Sequence, residues 1–383
     1  MRFGGRVLLT AEGRARVQDV TGTLDVSCPA PPMGAWVLVD GEWNGVEVVG
    51  TCEVLTAPHG PFPRPGGDWP SFQDHGGRRL ELLRQRALGR RAVRDFFDQR
   101  AFLEVETPAA VPSPGLDLHL DAFPVAGANP PRWLITSPEY QMKRILAGGA
   151  QRIYQLCKCW RREELGAHHE PEFTMLEWYR TYAGSEEVMR DTEQLVAHVA
   201  RALRDGSTII PGKDAPIDVA PPWQRLTVAE AFRVFADVEV KDVLPDEERF
   251  FRILVDAVEP QLGRVRPVFL THWPATMASL ARLHPDDPSV CDRFEGYLGG
   301  IELCNGFGEL VDPVEQRRRL ERDQRDREAA GKIAYPIDER FIGALEEGIP
   351  PSGGNALGFD RLMMLVTGAE TIADGMAIPS ARL

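Results

Sequence analysis

Short runs rich in Val, Leu and Thr, separated by glycines, fill residues 1–58. Residues 6–10, 14–19, 23–27, 35–40 and 46–55 read as strands, and Gly13, Gly22, Gly34, Gly41 and Gly45 punctuate them. Five such strands in so short a stretch predict a small barrel, OB-like in form. The plainer reading is an all-β cap that supports folding or dimerisation. A Pro- and Gly-dense stretch follows, which sets the expected boundaries at 1–58 for the barrel, 59–77 for a linker and 78–383 for the main domain.

From residue 78 the period changes. Leu80, Leu83, Ala87, Val93, Phe96 and Phe97 suit one helix face, interrupted at Gly89. A strand over 102–106 stops at Thr107-Pro108. Further on the pattern predicts a strand at 133–136, a helix over 140–146, strands at 152–156 and 173–182, and a helix over 187–204 with Val188, Thr192, Leu195, Val199 and Ala202 on one face. Residues 205–225 read as an insertion or irregular connection. Strands are expected at 268–271 and 297–303, and a helix over 314–330. Its Arg residues interleave with Glu and Asp, which predicts a solvated, salt-bridged face rather than a nucleic-acid stripe. The mixture predicts an α+β fold.

Composition narrows the class. The chain has 383 residues, 43% hydrophobic and 26% charged, enough for two or three domains with a sizeable core. A net charge of -13 excludes a generic nucleic-acid coat while leaving room for a local basic patch. Residues 1–75 carry nine acidic and five basic side chains, the wrong balance for an oligonucleotide-binding barrel. No apolar run reaches the ~18–20 residues that span a bilayer, and no secretory h-region is evident. The cysteines at 28, 52, 157, 159, 291 and 304 lack zinc-site spacing, so free thiols in a reducing cytoplasm are expected, with no membrane partner.

Chemistry-bearing residues concentrate in three segments, at 136–140, 160–179 and 293–310, with a glycine-rich stretch at 353–362. Glu295 and Glu302, at either end of a strand candidate containing Tyr297, offer hard oxygen ligands to magnesium on a polyphosphate. Arg161 and Arg361 can each fork onto phosphate oxygens, and Phe173 can stack a purine. Glu139, Glu177 and Glu309, with Asn305 and Tyr179, suit ammonium groups. The phosphate-loop pattern GxxxxGK[ST] is absent, so spacing alone ends at a candidate nucleotide site.

At these residues the chain resembles the class II aminoacyl-tRNA synthetases of the lysine type. It is closer still to their shortened relatives, the elongation factor P–(R)-β-lysine ligases. The likeness runs from about residue 76 to 383. Phe102-Leu-Glu-Val-Glu-Thr-Pro108 matches motif 1, residues 161–179 match motif 2, and Ala356-Leu-Gly-Phe-Asp-Arg361-Leu matches motif 3. ITSPEYQMKRIL, EPEFTMLEWYR and GIELCNGFGEL stand in the same fixed order.

The resemblance implies a six-stranded antiparallel sheet flanked by helices and a homodimer through motif 1, with Pro108 at the interface. It implies ATP and Mg2+ as cofactors and activation of a lysine-type amino acid as an adenylate. Arg161, Glu163, His169, Glu170, Phe173, Glu302, Leu303, Gly358 and Arg361 would hold ATP, and Glu295 and Glu302 the metal. Ser137, Pro138, Glu139, Glu177, Tyr179, Asn305, Phe307, Glu309 and Ala356 would form the amino-acid pocket. The acceptor it implies is a lysine side chain of elongation factor P, with (R)-β-lysine transferred.

Two alternatives stand beside that one. The first is a truncated lysyl-tRNA synthetase charging tRNA. The second is a catalytically silent regulatory paralogue, which retention of Arg161, Glu295, Glu302 and Arg361 opposes. Ala356 replaces the Gly usual in the synthetases, as in the β-lysine ligases. Glu170 and Arg162 replace Asn residues usual in the motif 2 turn, which suggests a paired charge exchange beside the triphosphate. A basic rim for an acidic acceptor is expected from Lys143, Arg144, Arg152 and Lys158.

Overall fold

The computed structural model describes residues 1–19 and 21–383, the side chains of 74–76 apart. It divides into two compact units, Met1–Leu80 and Glu81–Leu383.

In the first unit, β1 (Arg2–Ala11), β2 (Arg14–Gln18), β3 (Thr23–Ser27), β4 (Trp36–Trp43) and β5 (Val48–Thr56) close a barrel in the order β1-β2-β3-β5-β4. Small β-branched side chains fill it: Val7, Val17, Val26, Val37, Val39 and Val48 are all buried. A short parallel pairing, Val26 with Val48, completes the closure. Where β4 and β5 cross, Gly41 faces Gly50, and a Cβ on Gly50 would run into the Asp40 carbonyl. The chain beyond the barrel stays in this unit. Phe62 and Trp69 lie with Trp36 around the Arg6 guanidinium, at 4.3, 4.6 and 5.3 Å from the ring centroids.

The helix expected from residue 78 begins earlier, as α1 (Asp68–Asp98). It continues through Gly89, which lies against Met363; a Cβ there would meet the Met363 sulfur. After it come β6 (Leu103–Glu104), β7 (Ala110–Val111), β8 (Trp133–Leu134), α2 (Glu139–Ala147), β9 (Arg152–Trp160), β10 (Glu172–Thr181) and α3 (Ser185–Leu203). The chain continues with β11 (Ile209–Ile210), β12 (Ile217–Asp218), β13 (Gln224–Thr227), α4 (Val228–Ala236), α5 (Val240–Val243), α6 (Glu247–Ile253) and β14 (Val268–Pro274). It ends with β15 (Val290–Leu298), β16 (Ile301–Gly308), α7 (Pro313–Ala329), α8 (Glu339–Glu347), β17 (Ser352–Gly358) and α9 (Phe359–Thr367).

The main sheet has eight strands in the order β13-β14-β15-β16-β17-β10-β9-β6. The six from β14 to β9 are antiparallel, and β13 and β6 add a parallel strand at each edge. Three local expectations change. Residues 205–225 are no loose insertion: Ile210, Ile217, Val219 and Trp223 are buried in the main core, and Gln224 opens the edge strand β13. Residues 297–303 are no single strand, because Gly299 and Gly300, at φ 65° and 78°, turn the chain in a two-residue hairpin between β15 and β16. The helix at 313–329 does carry exposed pairs such as Arg318–Glu315, but Arg319 and Arg327 are buried. Arg327 donates to the Ile333, Asp117 and Leu120 carbonyls and pairs with Asp121 at 2.6 Å.

Alternation along the strands gives the sheet two unlike faces. Leu176 and Trp178 of β10, Phe294 of β15, Cys304 of β16 and Leu357 of β17 point to one side. There they pack with Val93, Phe96 and Phe97 of α1, Val188, Val196 and Val199 of α3, and Leu362 and Met363 of α9. The intervening residues, Glu177, Tyr179, Glu295, Asn305 and Ala356, therefore share the opposite face.

Candidate active site

The register turns that alternation into a site. Glu177 pairs with Ala356, Ala356 with Asn305, and Asn305 with Glu295, so the four form one row across β10, β17, β16 and β15. Tyr179, Gly354, Phe307 and Arg293 form the next row on the same face. Three strand spacings of ~4.8 Å put Glu177 about 14 Å from Glu295 along the row. A cavity of about 520 Å³ lies over these rows, lined by Ser137, Glu139, Arg161, Asn305, Phe307 and Ala356 among others.

One end of the row is carboxylate-rich. Glu177 is fully buried, accepts from the Ser137 hydroxyl at 2.6 Å and from the Tyr179 phenol at 3.1 Å, and pairs along the sheet with Gln155. Burial first, then the charge of Glu139, pushes its pKa up to about 8. Glu309 is also buried and is pushed up to about 7, by burial above all. Between Glu139 and Glu309 lies the ammonium of Lys143, at 2.7 and 2.6 Å. Burial works against its charge, but the two carboxylates outweigh that and hold it protonated. Pro138 stands at the N-terminus of α2, which begins at Glu139.

The other end suits a phosphate chain and a cation. Glu295 accepts from Arg293 at 2.6 Å, from the Tyr297 phenol at 2.7 Å and from Asn305 at 3.3 Å. Burial is the main cause that lifts its pKa to about 7. The hairpin turn brings Glu302 beside Tyr297 on the neighbouring strand. The two glutamates therefore come together across a hairpin, not at the ends of one strand. Among the described residues no group of three or more His, Cys, Asp or Glu side chains is arranged for a metal. Two carboxylates on adjacent strands nevertheless fit magnesium, which takes one or two protein carboxylates and completes its shell with phosphate and water.

Arg361, in the first turn of α9, donates to the Glu302 carbonyl at 2.7 Å and to the His168 carbonyl at 3.2 Å. Its other nitrogen lies 2.7 Å from Nε2 of His169, whose pKa burial and then Arg361 lower. Asp360 fixes this turn by accepting the Thr174 amide at 2.5 Å and pairing with Arg86 of α1 at 2.5 Å. Gly358 precedes α9 as its N-cap, so the positive end of that helix adds to Arg361. The Arg161 guanidinium lies 5.0 Å from the Phe173 ring centroid. Glu163 is exposed, at φ 65°, in the loop between β9 and β10.

Several expected residues stand elsewhere. Leu303 is buried in the hydrophobic core beneath the sheet, so its side chain does not reach the nucleotide face. Glu170 is buried and accepts the Ser380 amide at 3.1 Å, while Arg162 reaches Glu163 at 3.5 Å. The charge exchange suggested for Glu170 and Arg162 is thus not made: Glu170 ties the chain's last turn to the motif 2 loop. The basic rim does not assemble either. Lys143 is inside the pocket, Lys158 pairs with Glu172, and Arg152 starts the strand whose far end precedes Arg161. A nine-residue strand spans roughly 26 Å, which removes Arg152 from the site. Sequence reasoning missed Lys143 as a pocket residue and Arg293 as the partner of Glu295. The signal for Lys143 was its position four residues after Glu139 on one helix face.

These rows set a buried acidic pocket and an arginine–histidine cluster along one sheet, an arrangement of an enzyme-like site. The chain belongs to the class II tRNA synthetase family of the D, K and N type, whose model matches residues 77–382. It is similar to the elongation factor P--(R)-beta-lysine ligase of Hamiltonella defensa, 40% identical over 315 residues, 79% of this chain and 96% of that one. It is likewise similar to the ligases of the same name from Erwinia tasmaniensis, 41% identical over 77% of this chain and 94% of that one, and Edwardsiella ictaluri, 42% over 74% and 90%. It is an amino-acid ligase of this class. The barrel lies outside the matched residues, and among the described residues no helix is long and apolar enough to cross a membrane.

Proposed function

We propose that the chain activates (R)-β-lysine with ATP and Mg2+ and transfers it to a lysine side chain of elongation factor P in the cytoplasm. The observation that carries this reading is the row Glu177–Ala356–Asn305–Glu295, with ammonium-binding carboxylates at one end and phosphate-binding groups at the other. The names of the relatives supply the acceptor and the β-amino acid.

In the first step a carboxylate oxygen of the amino acid attacks the α-phosphorus, the bond to the bridging oxygen breaks, and pyrophosphate leaves. In the second step the acceptor amine attacks the acyl carbon, AMP leaves and the amine loses a proton. Neither step needs a protein nucleophile; both need alignment and charge stabilisation. Glu139, Glu177 and Glu309 hold the ammonium groups. Phe173 stacks the adenine, Arg161 takes the α-phosphate region, and Arg361 with His169 takes the distal phosphates. Glu295 and Glu302 would hold magnesium, which would supply Lewis acidity to the phosphates when bound. The methyl of Ala356 stands between Glu177 and Asn305 and fills space beside the amino group, which favours an amino group moved along the chain. A homodimer through residues 102–108, where Pro108 is exposed, belongs to the same proposal.

The test is the intact mass of elongation factor P after incubation with the enzyme, ATP, Mg2+ and (R)-β-lysine. A gain of one lysyl residue is expected. Pyrophosphate release without a gain moves the acceptor to tRNA, where alkali-labile charging would be seen. No pyrophosphate release with any lysine isomer overturns the reading.

A further inference from the structure

A second charged cleft, of about 320 Å³, lies at the other end of β9 and β10. Four elements send a guanidinium to it: Arg100 follows α1, Arg152 opens β9, Arg180 lies near the end of β10 and Arg190 sits on α3. Two of the four are answered. Arg180 makes a two-pronged contact with the buried Asp191, both bonds 2.9 Å, and Arg190 pairs with Glu187 at 2.7 Å. The other two have neutral partners. Arg100 donates to the Phe96 carbonyl at 3.0 Å and to Gln194 at 3.3 Å, and Arg152 donates to the Arg100 carbonyl at 3.0 Å. Nε of Arg180 is buried with no hydrogen-bond partner.

Asp191 faces Arg100 and Arg152 as well as Arg180, yet four guanidiniums line this concavity with only two carboxylates, Glu187 and Asp191, which leaves it net positive in a chain whose net charge is -13. Planar forks aimed from several directions match the oxygens of a phosphate group, and a volume of this order suits a small molecule. We infer that this cleft binds a small, multiply charged phosphate anion, separately from the nucleotide site. The phosphate comes either as a free oligophosphate or as part of a nucleotide. Arg100 and Arg152 supply the excess charge, and Asp191 holds Arg180 in place.

Calorimetric titration with inorganic pyrophosphate at low ionic strength tests this. Wild-type protein is expected to show two binding events per chain, one at the nucleotide site and one at the cleft. Arg361→Ala removes the first and leaves the second. Arg152→Glu weakens the second at least about tenfold and leaves the first, while Arg152→Lys, which keeps the charge, retains it. Raised salt weakens the cleft event, because its charges are partly exposed. A parallel titration with ATP distinguishes the sources: an Arg152-sensitive second event with ATP alone makes the ligand a nucleotide, and one with pyrophosphate makes it an oligophosphate. An Arg152→Glu protein that melts like the wild type and binds both anions unchanged overturns the inference. So does an Arg361→Ala protein that binds neither.

Discussion

Lys143→Met offers a direct test of how the acidic pocket is held. Methionine matches the stem of lysine and removes only the charge, leaving Glu139 and Glu309 facing each other in a buried pocket. Removing one partner of a buried pair costs about 3–5 kcal/mol, and the two carboxylates here make the upper part of that range appropriate at alkaline pH. Acid relieves the cost. Glu309, already lifted to about 7 by burial, takes up a proton as the pH falls, and its repulsion with Glu139 disappears. A carboxyl whose folded pKa is raised binds more protons folded than unfolded, so stability falls as pH rises from about 4.5 to the folded value. In the variant that folded value moves higher, and the fall extends to higher pH. Lys143, held protonated above its usual range, contributes fully throughout this window. Urea denaturation is therefore expected to show a deficit of about 4 kcal/mol at pH 8.5, shrinking to about 1–2 kcal/mol at pH 5.5. Saturating lysine, whose ammonium can replace the missing one, is expected to restore part of the alkaline loss; about 2.7 kcal/mol corresponds to a hundredfold excess over Kd. A variant as stable as the wild type at pH 8.5, or a deficit independent of pH, refutes the reasoning.

Three further outcomes follow from the same geometry. Glu177 holds a proton up to about pH 8 when the pocket is empty, so binding of a dicationic amino acid at pH 7 is expected to release up to about one proton per site. Calorimetry in buffers of different ionisation enthalpy reads it, and Glu177→Gln reduces it to the part released by Glu309, itself lifted to about 7. Gly300→Ala forces a side chain into φ 78° with its Cβ 3.3 Å from the Pro260 carbonyl. A loss of about 1–2 kcal/mol is expected, with a higher magnesium requirement for pyrophosphate exchange as Glu302 shifts. Ala356→Gly is expected to raise kcat/KM for α-lysine relative to β-lysine by about tenfold or more, measured by adenylate formation, since one methyl is worth about 1–3 kcal/mol in such a pocket.

Local sequence patterns placed most elements well where a single period ran uninterrupted. The barrel strands, the helix at 185–203 and the paired strands β9 and β10 were legible from their own residues. Legibility failed where long-range packing decides. Nothing in 205–225 says that Ile210, Ile217 and Trp223 belong to the main core, because their partners lie far along the chain. Gly299-Gly300 carried a turn signal, yet the apolar residues on both sides read as one strand. Of the site, the carboxylates and arginines were visible as residue types through their likeness to a family. Their alignment in one row was not, since strand register is set between segments and not within them. Lys143 was misplaced for a related reason. A lysine among surface-like residues reads as exposed, and the approach of Glu309, just after β16, joins Glu139 in making its burial tolerable.

The charge inventory of the acidic pocket argues for a substrate with two ammonium groups. Between the Glu309 and Glu177 values of about 7 and about 8, with Glu177 protonated and Glu309 ionised, Glu139 and Glu309 outweigh Lys143 by a single charge, which one ammonium neutralises. A second ammonium becomes favourable once Glu177 gives up its proton, and the Ser137 and Tyr179 hydroxyls already point at its oxygens. A monoamine would leave the carboxyl protonated and gain only half of the pocket's attraction. Glu139 and Glu309 converge on Lys143, whereas Glu177 on β10 is held by Ser137 and Tyr179, so the proposed pocket offers two separate places to ammonium groups. On the proposed reading, shape at Ala356 would discriminate between lysine isomers and charge would discriminate against other amino acids.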